Sequence, residues 1–190
     1  MNNSTPFKIA AALALLLIAT PAPPASAAQR KREHLSPEEV ELVRDNQQLD
    51  KRTEVFVRAA ERRMLAVTNP EEAARQAAKD KEKWGEVQGT RTQLIYDISK
   101  ILDEAVVNID NAALHNPESP LLRKSLFKLS EAAARLLPQL SKLREGAQEE
   151  AEADQLDRAI EAAQEIIDAA KERGVTAEDL KTPKGGKKGN

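Results

Sequence analysis

Two histidines, His34 and His115, and no cysteine stand in a chain of 190 residues. Those counts bound the metal and nucleophile chemistry before any fold is considered. Carboxylates are plentiful by contrast. In the stretch 94–113, Asp97 and Glu104 lie seven residues apart, and so do Asp103 and Asp110. Seven residues is two helical turns, so each pair shares a helix face. Carboxylates on facing helices can hold two iron ions, but that chemistry takes a Glu-x-x-His on each of two helices. Neither histidine has a Glu three residues before it. The pairs are therefore expected to form a solvated face, and no metal is expected. A haem held without cysteine would need axial ligands such as Met64 and His115. Met64 continues an apolar stripe, and His115 follows a helix C-terminus, where a partly cationic ring is favoured. No cofactor is expected.

Other chemistries find even less. Two histidines in flanking segments give no Ser/His/Asp set, and Gly185-Gly186 among lysines is tail composition rather than a phosphate loop. Trp84 reads as an edge-of-core anchor rather than a ligand platform. The acidic run over 149–165 reads as a solvated helix face, with a basic partner as its alternative use. The remaining candidates are amides and a hydroxyl inside apolar stripes. Asn46 and Thr53 interrupt one stripe, and Asn108 interrupts another, with Asn111 beside it. A buried amide without a partner costs about 1–3 kcal/mol, so Asn46 and Asn108 are expected to pair with each other or with neighbours such as Gln47 or Asn111. Such a polar layer would fix helix register; the functional alternative is the lining of a small polar pocket.

These residues must be positioned by helices. The stretch 94–113 carries apolar residues at Leu94, Ile98, Ile101, Ala105, Ile109 and Ala112, in steps of three and four, which predicts the central helix. Its many β-branched residues mean that packing, not propensity, must hold it. Before it, Ser36-Pro37-Glu38-Glu39 is a capping box with proline in the first turn, and predicts a helix from 37 to 68 along Leu42, Asn46, Leu49, Thr53, Phe56, Ala60, Met64 and Val67. Asn69-Pro70-Glu71-Glu72 starts a short Ala-rich connector helix reaching about Lys83. Two further long helices are expected near 120–145, with Pro138 kinking rather than ending it, and 148–173, closed by Gly174. Thr176-x-x-Asp179 then begins a short turn. With a start for the central helix between Trp84 and Thr90, the expectation is an all-α, antiparallel bundle of four long helices plus a short connector helix, over residues 36–180.

The ends are different in composition. Lys8, the apolar run over 9–19 and Ala25-Ser26-Ala27 make residues 1–27 an expected export signal, cleaved before Ala28. Residues 28–35 are expected to be polar and flexible, and 181–190 a disordered Lys/Gly tail. Without that signal and tail, 24 basic residues face 31 acidic ones, a net charge of −7 that argues against nucleic acid as a partner. Absence of cysteine excludes disulfides, thiolate metal sites, covalent haem and a lipoprotein anchor. No later segment is apolar enough to span a membrane. The reading is an exported, periplasmic or secreted, noncatalytic bundle acting by contact with protein, as an adaptor, chaperone-like or structural component of the cell envelope. The alternative is a ligand- or metal-binding bundle with its site at polar core residues.

Overall fold

A computed structural model describes residues 33–181. The expected export signal lies outside these residues, as does the tail beyond Lys181. Among the described residues every regular element is helical: α1 (Pro37–Asp45), α2 (Leu49–Thr68), α3 (Pro70–Trp84), α4 (Arg91–His115), α5 (Pro120–Glu145), α6 (Glu150–Glu172) and a closing 3-10 turn (Ala177–Leu180). The all-α class follows from the spacing of three and four that runs through each helix.

The single helix expected over 37–68 is two. It breaks at 46–48, where Asn46 ends α1. The Asn46 backbone N–H and its side-chain Nδ2 both donate to the Leu42 carbonyl, the latter at 2.7 Å. Short amides compete for backbone partners in this way and end helices. Arg52 Nε then donates to the Asn46 carbonyl at 3.1 Å, which fixes the corner. The central helix starts at the late end of its expected range. Thr90 caps it in a capping box with Gln93, and Gly85 and Gly89, at φ 63° and 143°, keep 85–90 out of helix. At Gly85 a side chain would also collide with the Glu38 carboxylate. Pro138 lies exposed inside α5, which runs unbroken past it to Glu145. The carbonyl of Ala134 that loses its partner is on the solvent side, where water can satisfy it. Gly174 closes α6 at φ 57°, with the Val175 N–H returning to the Ala170 carbonyl as a left-handed cap requires.

The core runs through α2, α4, α5 and α6. Fully buried alanines (Ala59, Ala60, Ala105, Ala133, Ala159, Ala163) sit among Phe56, Ile98, Leu102, Leu129 and Leu156. Small side chains let the helices approach closely and spread the buried apolar area over long interfaces. Pair directions can be read from contacts. Arg52 near the start of α2 meets Asn108 near the end of α4, and Arg91 at the start of α4 reaches the Val67 carbonyl near the end of α2, so these two are antiparallel. The Arg123 guanidinium near the start of α5 holds the Arg173 and Gly174 carbonyls beyond α6, so α5 and α6 are antiparallel as well. Not every neighbour follows. Lys124 and Lys128 meet Asp50, and Arg135 meets Glu61, so α2 and α5 run the same way. Arg91 meets Glu152, so α4 and α6 also run the same way.

One buried hydroxyl breaks the rule that buried polar atoms are paired. Ser125 on α5 is fully buried and its Oγ has no hydrogen-bond partner among the described residues. An unsatisfied buried group costs about 1–3 kcal/mol, so Ser125→Ala should be neutral or stabilise by about 1 kcal/mol in urea unfolding. A loss above about 1 kcal/mol would show that the hydroxyl has a native partner.

Candidate functional site

The sequence-selected amides and hydroxyl scatter. Asn46 and Asn108 are both half-buried and come to one place, but they do not touch: Arg52 lies between them, donating to the Asn46 carbonyl and, at 3.1 Å, to Asn108 Oδ1. Asn108 Nδ2 spends its donor on the Glu104 carbonyl of its own helix. Thr53 is buried, and its hydroxyl returns to the Leu49 carbonyl at 2.9 Å. Asn111 is exposed, and its carbonyl accepts from His115 Nδ1. These four residues therefore do not line one pocket. An arginine, not a paired amide, joins α2 to α4 at this height.

The densest polar cluster was read from sequence only as a helix cap. Glu39 is fully buried. Its Oε1 accepts from Arg62 at 2.6 Å and Arg63 at 2.8 Å; its Oε2 accepts from Arg63 at 2.7 Å and from the Ser36 backbone N–H at 2.9 Å. Four donors fill the four acceptor sites of a carboxylate. Arg63, itself buried, also donates to the carbonyls of His34 and Ala59, and its Nε lies 3.8 Å from Asp97 of α4. Arg62 donates to the carbonyls of Trp84 and Gly85, the unpaired end of α3. Burial pulls the Arg62 guanidinium below its ordinary value, against the opposing charge of Glu39. Arg58 and Arg62 lie over the Trp84 ring, at 4.9 and 5.5 Å from its centroid, in the range of a cation–π contact. Trp84 is thus an anchor clasped by cations. His34 adds a link to α4, its Nε2 2.6 Å from Glu104 Oε2, and Leu35 is buried. The end of the segment expected to be flexible is tied down, because its carbonyl and ring both find partners. With its acceptors filled, Glu39 offers a substrate nothing; the cluster is a clamp of α1 and α3 onto α2 and α4.

A second buried carboxylate, Asp50, sits where α2 and α5 begin side by side. Lys124 Nζ and Lys128 Nζ each lie 2.8 Å from Asp50 Oδ2. Burial alone would push this carboxyl up, but the hydrogen bonds and charges of the two lysines outweigh it and hold it at about 2 against an ordinary 3.8. Among the described residues, no three His, Asp or Glu side chains gather as a metal-holding group, and no helix is long and apolar enough to cross a membrane.

The surface carries two grooves of interest. One, about 780 Å³, lies between α2 and α5, with Val57, Leu65, Phe127 and Leu136 in its lining. Several of its charges answer one another: Glu54 meets Lys128, Glu61 meets Arg135, and Arg62 meets Glu39, while Glu131 has no ion pair among the described residues. The other, about 450 Å³, lies between the ends of α4 and α6. Val106, Val107, Ile109, Ala162, Ile166 and Ala169 line it. Along α4, Val107 is 54% exposed and Leu114, two turns on, is 81% exposed. Val107 borders the groove, and the exposed Asp110 and Asn111 stand between it and Leu114 on the same helix face.

Sequence reasoning missed Arg63, read Glu39 only as a helix cap, and placed Asp97 on a solvated helix face, whereas Asp97 is buried against Arg63. A signal existed: Arg63 stands seven residues after Phe56 and Asp97 three after Leu94, in phase with buried positions. No known protein family matches this chain, and no curated protein or solved structure does either.

Proposed function

We propose that this is an exported, noncatalytic helical-bundle protein that acts by protein contact through the exposed face of α4. Its four longest helices would form a four-helix bundle in which successive helices alternate in direction, with α1 and α3 as outer straps. The observation that carries the reading is the exposure of Val107 and Leu114 on α4, with Val107 at the edge of an apolar groove. The buried ion pairs support it from the other side. Glu39 and Asp50, the fully buried carboxylates of α1 and α2, are spent on holding helices together, which is a framework role. The alternative, a ligand site among polar core residues, has less support, because Asn46, Thr53 and Asn108 direct their hydrogen bonds to Arg52 or to their own helices.

Export is part of the same proposal and rests on Lys8, the apolar run over 9–19 and Ala25-Ser26-Ala27. Secreted material should begin at Ala28; N-terminal sequencing that finds Met1 would remove the cleavage site. For the contact surface, Val107→Asp with Leu114→Asp should leave the fold intact with only a small fall in melting temperature, since Leu114 is largely and Val107 half exposed, and should abolish recovery of a partner from the cell envelope. An undiminished recovery would place the contact elsewhere.

A further inference from the structure

We infer that the α4–α6 groove receives a cationic amphipathic helix of a protein partner. This rests on the contact reading above and adds the chemistry of the partner. The floor is apolar and runs between two helices, with Val106 and Ile109 on one side and Ala162, Ile166 and Ala169 on the other, at the steps of three and four that take an inserted helical ridge. The rim carries Asp103, Asp110 and Glu165 against Arg173. Asp103 is shared with Lys100, at 2.8 Å. Asp110 and Glu165 form no ion pair among the described residues. A partner that covered this rim without bringing cations would strip water from two unpaired carboxylates, which is costly. Lysines or arginines flanking an apolar stripe remove that cost and add attraction.

The same charges select against other occupants. A second copy docking groove to groove would bring three carboxylates and one arginine against the same set, an excess of like charge that disfavours it. The Lys-bearing stretch 182–190 of this chain matches the charge but contains no Leu, Ile, Val, Phe or Met to fill the floor.

The test is fluorescence anisotropy with the purified full chain and three labelled peptides of about 15 residues, long enough at ~1.5 Å per residue to cover the groove. One peptide has a Leu stripe flanked by Lys, one has the same stripe flanked by Glu, and one has the Lys composition scrambled out of helical register. The first should bind, with the Glu and scrambled peptides each weaker by about 10-fold or more, and with affinity falling as salt rises. Val107→Ser, which removes apolar contact without adding charge, should weaken the first peptide. Asp110→Lys with Glu165→Lys, exposed positions that leave the core intact, should reverse the preference toward the Glu peptide. Equal binding of the Lys and Glu peptides, or of the scrambled one, overturns the proposal, and so does an Asp110/Glu165 variant that keeps the original preference. Dimerisation of the chain that Val107→Glu abolishes would give the groove to a second copy and overturn it as well. If no peptide binds while Val107→Asp with Leu114→Asp still costs the native partner, the contact face stands and the cationic helix is wrong; if neither has an effect, both fall.

Discussion

Glu39→Ala should free α1 from the rest of the protein. The variant leaves Arg62 and Arg63, both largely buried, without the carboxylate that accepts three of their hydrogen bonds. Removing one partner of a buried ion pair costs about 3–5 kcal/mol, because the other charge stays desolvated. Little else holds α1: Glu39 is its one buried residue, with Val43 only partly buried against the core. The loss should therefore appear first as fast hydrogen exchange across 37–45 and as early proteolytic cleavage at Arg44, before global unfolding. Urea unfolding should show a loss of up to the same size. Glu39→Gln keeps the shape and should fall between the two. Exchange over 37–45 unchanged in Glu39→Ala would mean that apolar contacts, not the charge clamp, dock α1.

Asp50 predicts a pH dependence whose sign is set by its lowered carboxyl. A carboxyl at about 2 in the folded chain, against 3.8 in the unfolded one, gives stability that is complete above about pH 5 and is lost as pH falls through 4 toward 2. The difference corresponds to about 2 kcal/mol. Asp50→Asn should lose about that amount at neutral pH, where Lys124 and Lys128 keep their charges but lose their shared partner, and its stability should change less than the parent's between pH 5 and 2.5. Parallel acid profiles for the two proteins would contradict the assignment. Glu54 contributes in the same direction, its carboxyl lowered because the hydrogen bonds of Lys128 and Lys51 outweigh burial.

The helices were legible wherever one face repeats Leu, Ile and Ala at steps of three and four. Leu94, Ile98, Ile101, Ala105 and Ile109 are buried in that phase, and so are Leu126, Leu129, Ala133, Leu136 and Leu140. The break at 46–48 was not legible, because Asn46 and Thr53 keep the phase of the stripe while Asn46 turns its hydrogen bonds back on Leu42. Nor was the parallel placement of α2 with α5. A short connection such as 116–119 can turn back beside α4 or step across it, and only the contacts of Lys124, Lys128 and Arg135 distinguish the two. Capping logic found Glu39 through its bond to Ser36, but burial of its carboxylate depends on four segments meeting at Arg62 and Arg63, which no local pattern encodes. The polar layer was half visible: Asn46 and Asn108 do come to one height, joined by an arginine whose long side chain could reach either from several positions.

Contact through the α4 face is tested most directly by photo-crosslinking in the cell that makes the protein. A crosslinking residue would replace, one at a time, Val107 and Leu114 on that face, and the exposed Ala134 of α5 and Arg75 of α3 as controls. The account predicts a discrete adduct of one mass from Val107 and Leu114, reduced by Asp110→Lys with Glu165→Lys and absent from Ala134 and Arg75. Adducts of the same mass and yield from all four positions, or none from Val107 and Leu114, would contradict it.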